Sequence, residues 1–200
     1  MAGAAAMELP LPEAAVVEEA TLDAQIETFA RVLPSRPFVL GGCCCSHVGA
    51  VRELVRRHGR VGVVWIDAHG DLNTPESSPS GNAWGMPLRM LLDGGDVRPA
   101  DVALLGARNL DPPEEAYLAA TAVRRELEGL PDRVYVALDC DVVEPGELDV
   151  FMPEPDGPRL DELERLLGSI PEPLGAGITG LVPSERNESL LPRLVRALRF

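Results

Sequence analysis

Two short acidic clusters stand out by residue type and spacing. Asp67-Ala68-His69-Gly70-Asp71 and Asp139-Cys140-Asp141 place four aspartates and one histidine in two brief segments. Hard carboxylate oxygens with a single imidazole suit Mn2+ or Mg2+ better than zinc, whose structural sites favour sulfur and nitrogen. Five candidate ligands are more than one such ion needs if water is to bind as well, so the pattern points to two ions with bridging carboxylates. Such a pair lowers the pKa of a bridging water and presents hydroxide to a polarised carbon. A lone aspartate after a strand would more simply cap the next helix. Four of them with a histidine, behind two strands, exceed that explanation.

The elements that must position these groups are readable as alternating patterns. Short apolar or β-branched runs at Pro37–Leu40, Val61–Ile66, Val102–Leu105, Val134–Leu138 and Leu174–Ile178 read as buried strands. Amphipathic stretches lie between them, at Val48–His58, Gly85–Leu92, Pro112–Leu130 and Leu160–Leu167, with a further one at Ser189–Leu198. This alternation predicts an α/β fold, a three-layer α/β/α sandwich on a mostly parallel sheet. Ligands of such sheets bind at the carboxyl ends of the strands. Gly41-Gly42-Cys43-Cys44, Asp67-Ala68-His69, Gly106-Ala107-Arg108, Asp139-Cys140-Asp141 and Thr179-Gly180 each follow one of the runs, so all are expected on one rim. Residues 1–21, rich in Ala, Glu and Pro, read as a poorly ordered segment leading into a helix over Leu22–Leu33, and 22–200 as the domain.

Composition narrows the partners. A chain of 200 residues suits one domain with a real core. A net charge of −14 argues against nucleic acid, which needs a basic surface. All 18 basic residues are arginine, which reads as compositional bias rather than chemistry. No apolar run approaches the roughly 18 residues of a membrane span, so no membrane partner is expected. The first residues lack a basic n-region, and a cytoplasmic location is expected. Cys43, Cys44, Cys45 and Cys140 have the wrong spacing for a CxxC zinc site and read as small buried hydrophobes, unless position gives one of them a ligand role.

With these motifs in place, the chain resembles the arginase/agmatinase family of ureohydrolases. The stretches that carry the resemblance are Val39-Leu40-Gly41-Gly42, Asp67-Ala68-His69-Gly70-Asp71-Leu72-Asn73-Thr74-Pro75, Ser80-Gly81-Asn82, Gly85-Met86-Pro87 and Asp139-Cys140-Asp141, in family order across residues 38–145. The resemblance implies that Asp67, His69, Asp71, Asp139 and Asp141 hold two Mn2+ ions, with Asp71 also handling a proton in catalysis. It implies that Asn73, Ser80 and Asn82 hold the α-carboxylate of an amino-acid substrate and that Asp111 holds its α-amino group. Neutral donors suit a carboxylate, and an acid suits an ammonium. The implied ligand is a small guanidino or amidino amino acid.

Four departures qualify the resemblance. Arginases carry a histidine metal ligand where this chain has Cys44; a branch of the family reading Gly-Gly-Asp-Cys there includes an enzyme that hydrolyses Nω-hydroxy-L-arginine. A coordinated thiol is deprotonated, so Cys44 can serve as the ligand, while His47, one helical turn on, is the competing candidate. Trp84 stands where the family has a histidine assigned as proton shuttle, and an indole does no acid–base work at neutral pH. Gly180 stands where a glutamate anchors the guanidinium, with Glu185 as a nearby acid that could reach in. Glu144 replaces the last aspartate of the second acidic motif.

The chain is also short relative to the family at its N-terminal side. That leaves the Pro37–Leu40 strand as an expected sheet edge, open to self-association unless residues 2–22 cover it. Two functions follow. One is a Mn2+-dependent amidinohydrolase using a metal-bridging hydroxide on an arginine- or hydroxyarginine-like substrate. The other is a degenerate member that binds metal or an amino acid without turnover.

Overall fold

A computed structural model describes residues 7–200. All five apolar runs form strands: β1 (Phe38–Leu40), β2 (Gly62–Ile66), β3 (Val102–Leu105), β4 (Val134–Asp139) and β5 (Gly175–Thr179). They make one entirely parallel sheet in the order β1-β5-β4-β2-β3. Parallel neighbours need crossover connections, and these carry α2 (Cys45–His58), α3 (Pro87–Asp93), α4 (Pro112–Ala120) and α5 (Leu160–Ser169), while α1 (Leu22–Val32) precedes β1 and α6 (Glu185–Ala197) follows β5.

Alternation along the strands feeds two cores. Val63, Trp65, Tyr135 and Ala137 face α2 and α3, meeting Val48, Val51, Leu54, Leu88 and Leu91. Val64, Ile66, Val136 and Leu138 face the other way, onto Leu163 and Leu167 of α5 and Leu191 and Leu194 of α6. Burial on both faces is why these strands are continuously apolar. The expected three-layer α/β/α arrangement is present, with a wholly rather than mostly parallel sheet.

Two expectations need adjustment. The helix read over Pro112–Leu130 ends at Ala120, and Arg124 instead makes a parallel bridge to Ala103 on the outer side of β3. The apolar residues that suggested a continuous helix serve different cores: Leu118 and Val123 pack on the α2 side, Leu127 and Leu130 on the α5 side. In the segment read as poorly ordered, residues 7–20 form neither helix nor strand, yet Met7 is buried and Leu9 and Leu11 pack against the core. Residues 1–6 lie outside the described residues. β1 is a sheet edge, as expected, pairing among the described strands with β5 alone.

Register aligns the site. Ile66 pairs with both Leu138 and Leu105, Leu138 pairs with Ile178, and Asp139 pairs with Thr179. One residue further, Asp67, Asp139 and Thr179 share a row at the carboxyl ends and point to the α2 face. Below them, Gly177 of β5 leaves the room that His47 and Tyr135 fill: a Cβ at 177 would lie 2.7 Å from the Tyr135 hydroxyl and 2.8 Å from His47 Cε1. Both side chains are fully buried, so neither can retreat. Gly177→Ala is therefore expected to lower the unfolding free energy by about 1–3 kcal/mol through overpacking. Equilibrium denaturation checks this, and an unchanged midpoint contradicts it.

Candidate active site

The strand-end row converges on a cavity of about 220 Å3, smaller than the roughly 300–1,000 Å3 typical of drug-sized ligands. Its floor is acidic. Asp67, Asp71, Asp139 and Asp141 line it, with relative exposures of only 2%, 4%, 8% and 6%. Asp67 Oδ1 accepts the His69 N–H at 2.7 Å, and Asp139 Oδ1 accepts the Asp141 N–H at 3.0 Å. Asp141 Oδ1 accepts the Ala68 N–H at 3.2 Å, which ties the two acidic loops together. Asp71 adopts φ 54°, a left-handed conformation that aspartate tolerates better than most side chains. Its Oδ2 is buried and has no hydrogen-bond partner.

An unpartnered buried carboxylate oxygen is costly unless a cation or proton meets it. Among the described residues, two sets each bring their ligand atoms within 4.8 Å of one another: Cys44, Asp67 and Asp71, and Asp67, His69 and Asp141. Asp67 belongs to both. The donor chemistry and the orphaned oxygen both fit a pair of divalent cations sharing a carboxylate.

The thiol of Cys44 sits inside this cluster, 3.0 Å from Asp139 Oδ2, 3.5 Å from Asp67 Oδ2 and 3.2 Å from Thr179 Oγ1. Cys44 caps the N-terminus of α2, where backbone N–H groups favour negative charge. His47 is a turn deeper. Its Nδ1 lies 2.9 Å from the Tyr135 hydroxyl and its Nε2 3.3 Å from Thr179 Oγ1, so the threonine separates it from the acids. Of the two competing candidates, Cys44 is the one at the floor.

Electrostatics reflect like charges held in a dry place. Burial and the neighbouring charge of Asp141 push Asp139 up to about 6, and burial and Asp67 do the same to Asp141, also to about 6. Asp71 is held well above the usual carboxylate range by burial and then by Asp67 and Asp139. Burial opposes charge on His69, but its bonds to Asp141 and Asp67 outweigh this and push it up to about 11. The Cys44 thiol is raised by burial and by Asp139, so it stays protonated until a cation displaces the proton.

One wall carries the expected polar residues. Asn73 Nδ2 donates to Asp111 Oδ2 at 2.8 Å, and Asn73 Oδ1 accepts from Ser77 Oγ at 2.8 Å. Asn73, Asp111 and Ser80 line the cavity together with Ser78. Asn82 does not line it; its backbone N–H donates to Ser80 Oγ at 3.2 Å. Glu185 is exposed at the start of α6 and does not line it either. Glu144 accepts the Gly157 N–H at 3.1 Å, bracing a loop.

Sequence reasoning passed over three features. Glu114 buries its carboxylate beneath the cavity, accepting the Leu72 and Asp111 N–H groups, each at 2.9 Å. The Asp111-to-Glu114 spacing is a capping-box signature at the start of α4 and could have revealed it. Phe151 and Met152, 60% and 41% exposed, form an apolar lip with Trp84, whose ring packs edge-on to Phe151 at 6.3 Å. Glu154 lies 3.3 Å from His69 Nε2. No local pattern marks residues 151–154, because only tertiary contact brings them to the rim.

The chain is similar to known proteins. The family model described as "Arginase family" matches residues 4–188. The arginase of Bacillus subtilis (strain 168) is 32% identical over 142 residues, covering 56% of this chain and 48% of that protein. The arginase of Staphylococcus aureus (strain COL) is 42% identical over 92 residues, covering 41% of this chain and 30% of that protein. These alignments thus span half or less of the curated relatives. The crystal structure of the Bacillus subtilis arginase superposes with a TM-score of 0.78 at 26% identity, over 94% of this chain and 82% of that one.

The raised acids yield a pH dependence with a definite sign. Asp139 and Asp141 move from 3.8 to about 6 on folding. Their contribution to the stability of the metal-free protein is fully present below 3.8 and is lost as pH rises through 6. A divalent cation binds the ionised carboxylates and reverses the trend. Thermal unfolding with and without Mn2+ is expected to show a small gain in Tm at about pH 5 and a large one at about pH 7.5, on either side of that titration. Equal gains at both pH values contradict the assignment.

Proposed function

The chain belongs to the arginase family, and we propose that it is a Mn2+-dependent hydrolase of a C–N bond in a guanidino or amidino amino acid. The observation that carries this reading is the convergence of Cys44, Asp67, His69, Asp71, Asp139 and Asp141 on one floor, with Asn73 and Asp111 on the adjoining wall. Bound there, the ions would supply Lewis acidity and an activated water for attack on the amidino carbon.

The chain's own residues do the rest. Asn73 and Asp111 satisfy one another at 2.8 Å. An α-amino acid entering between them exchanges that bond for two charge-assisted ones, the amide N–H to its carboxylate and Asp111 to its ammonium, while Ser80 adds a hydroxyl at the rim. With one Asp71 oxygen given to a cation, the other would accept a proton from water and pass it to the departing nitrogen. Trp84 offers no acid–base group at the mouth and instead narrows it together with Phe151.

The substrate end that carries the amidino group meets no added counter-charge. Gly180 has φ +80°, and a Cβ built there would overlap Asp139 Oδ1. No side chain fits at 180 without displacing Asp139, so a guanidinium-anchoring glutamate is excluded at that position. This favours a head group less dependent on an ion pair. A hydroxyguanidine, less basic than a guanidine, meets that condition, in keeping with Cys44 and with the Gly-Gly-Asp-Cys branch.

The Mn2+-loaded protein is expected to release hydroxyurea from Nω-hydroxy-L-arginine faster than urea from L-arginine. Faster urea release overturns the substrate assignment. Two ions bound with no product from a panel of guanidino acids overturns turnover itself and supports the binding-only function, which Trp84 and Gly180 in place of a histidine and a glutamate would explain.

A further inference from the structure

Glu154 sits in the connection between β4 and α5, away from both acidic motifs in sequence. It nevertheless meets the metal-binding floor. Glu154 Oε1 lies 3.3 Å from His69 Nε2 and accepts the Asn109 side-chain N–H at 3.0 Å. On the opposite edge of the same ring, His69 Nδ1 faces Asp141 Oδ2 at 3.0 Å and Asp67 Oδ1 at 3.4 Å. The imidazole is thus spanned, with two candidate cation ligands on one nitrogen and one outlying carboxylate on the other.

The backbone that carries Glu154 is itself clamped. The Arg108 guanidinium donates to Glu154 O at 2.8 Å and Pro155 O at 2.7 Å. The same group reaches Val142 O at 3.1 Å, Asp141 O at 3.3 Å and Gly106 O at 3.3 Å. A single arginine therefore pins the 154–155 loop to the turn after β4 and to the end of β3. The side chain of Glu154 is 19% exposed, enclosed enough for its charge to act locally.

An imidazole can bind a cation only through a nitrogen that carries no hydrogen, and the partner of the other nitrogen decides which one that is. We propose that Glu154 is the positioning residue of the candidate metal centre. It accepts the hydrogen bond of His69 Nε2–H, turns the Nδ1 lone pair toward Asp67 and Asp141, and increases the donor strength of the ring. Arg108 holds Glu154 in place for that task. This inference rests on the metal-binding reading of the site and adds a residue to it that neither acidic motif contains.

The test is Mn2+ affinity of the full-length chain, measured by the electron paramagnetic resonance signal of free Mn2+, for wild type, Glu154→Ala and Glu154→Gln. Loss of such an outer partner is expected to weaken binding about 10- to 100-fold in Glu154→Ala. Glu154→Gln, which keeps an acceptor oxygen without the charge, is expected to recover most of that loss. Metal-free thermal midpoints of all three report whether the fold is intact. Unchanged affinity in Glu154→Ala overturns the proposal while leaving the metal site standing. Equal losses in both variants also overturn it, because charge alone would then account for the effect. Wild type that binds no Mn2+ overturns the metal reading instead.

Discussion

Asp67, Asp71, Asp139 and Asp141 are nearly sealed from water, share one floor, and face a single histidine. Unit charges a few ångströms apart repel by about 4 kcal/mol at an effective dielectric of 20, so four ionised carboxylates cannot share this space unaided. The metal-free chain relieves the conflict by keeping protons on some of them and by charging His69. Two divalent cations would neutralise four carboxylates completely. The rest of the fold can be understood as the scaffold that forces this confrontation. The β2–β4 register sets Asp67 beside Asp139, the Ala68-to-Asp141 bond locks the loops, and Glu114 and Arg108 brace them from either side.

Around that floor stand groups that carry no fixed charge. Cys44 places a soft, polarisable thiol at a helix N-terminus. Trp84, Phe151 and Met152 make an apolar mouth. Gly180 is held by its own backbone conformation and by Asp139, which blocks any side chain there. Trp84 and Gly180 leave the outer part of the pocket with little charge, while the acids stay at its floor. On the proposed reading, a weakly basic head group suits that balance.

Most of the floor was legible in the sequence because its signals are local. Each acidic cluster directly follows a short β-branched run, and parallel sheets gather such strand ends on one rim. The choice between Cys44 and His47 was not legible, since it depends on one helical turn placing Thr179 between His47 and the acids. The over-long helix after Pro112 arose because residues serving two separate cores happen to repeat at helical spacing. Asn82 matched a motif yet turned out of the cavity, whereas Ser78, two residues before Ser80, lines it. Glu154 and the apolar lip were invisible, for they reach the site only through a loop fastened by Arg108.

The central claim is that this floor is a two-cation site with Cys44 among its ligands. Crystals grown with Mn2+, with diffraction recorded on both sides of the manganese absorption edge, test it most directly. Two anomalous peaks flanking Asp67 are expected, one within bonding distance of Cys44 Sγ and the other beside His69 Nδ1. An empty floor in Mn2+-saturated crystals would contradict it, as would peaks that leave Cys44 and Asp71 uncoordinated.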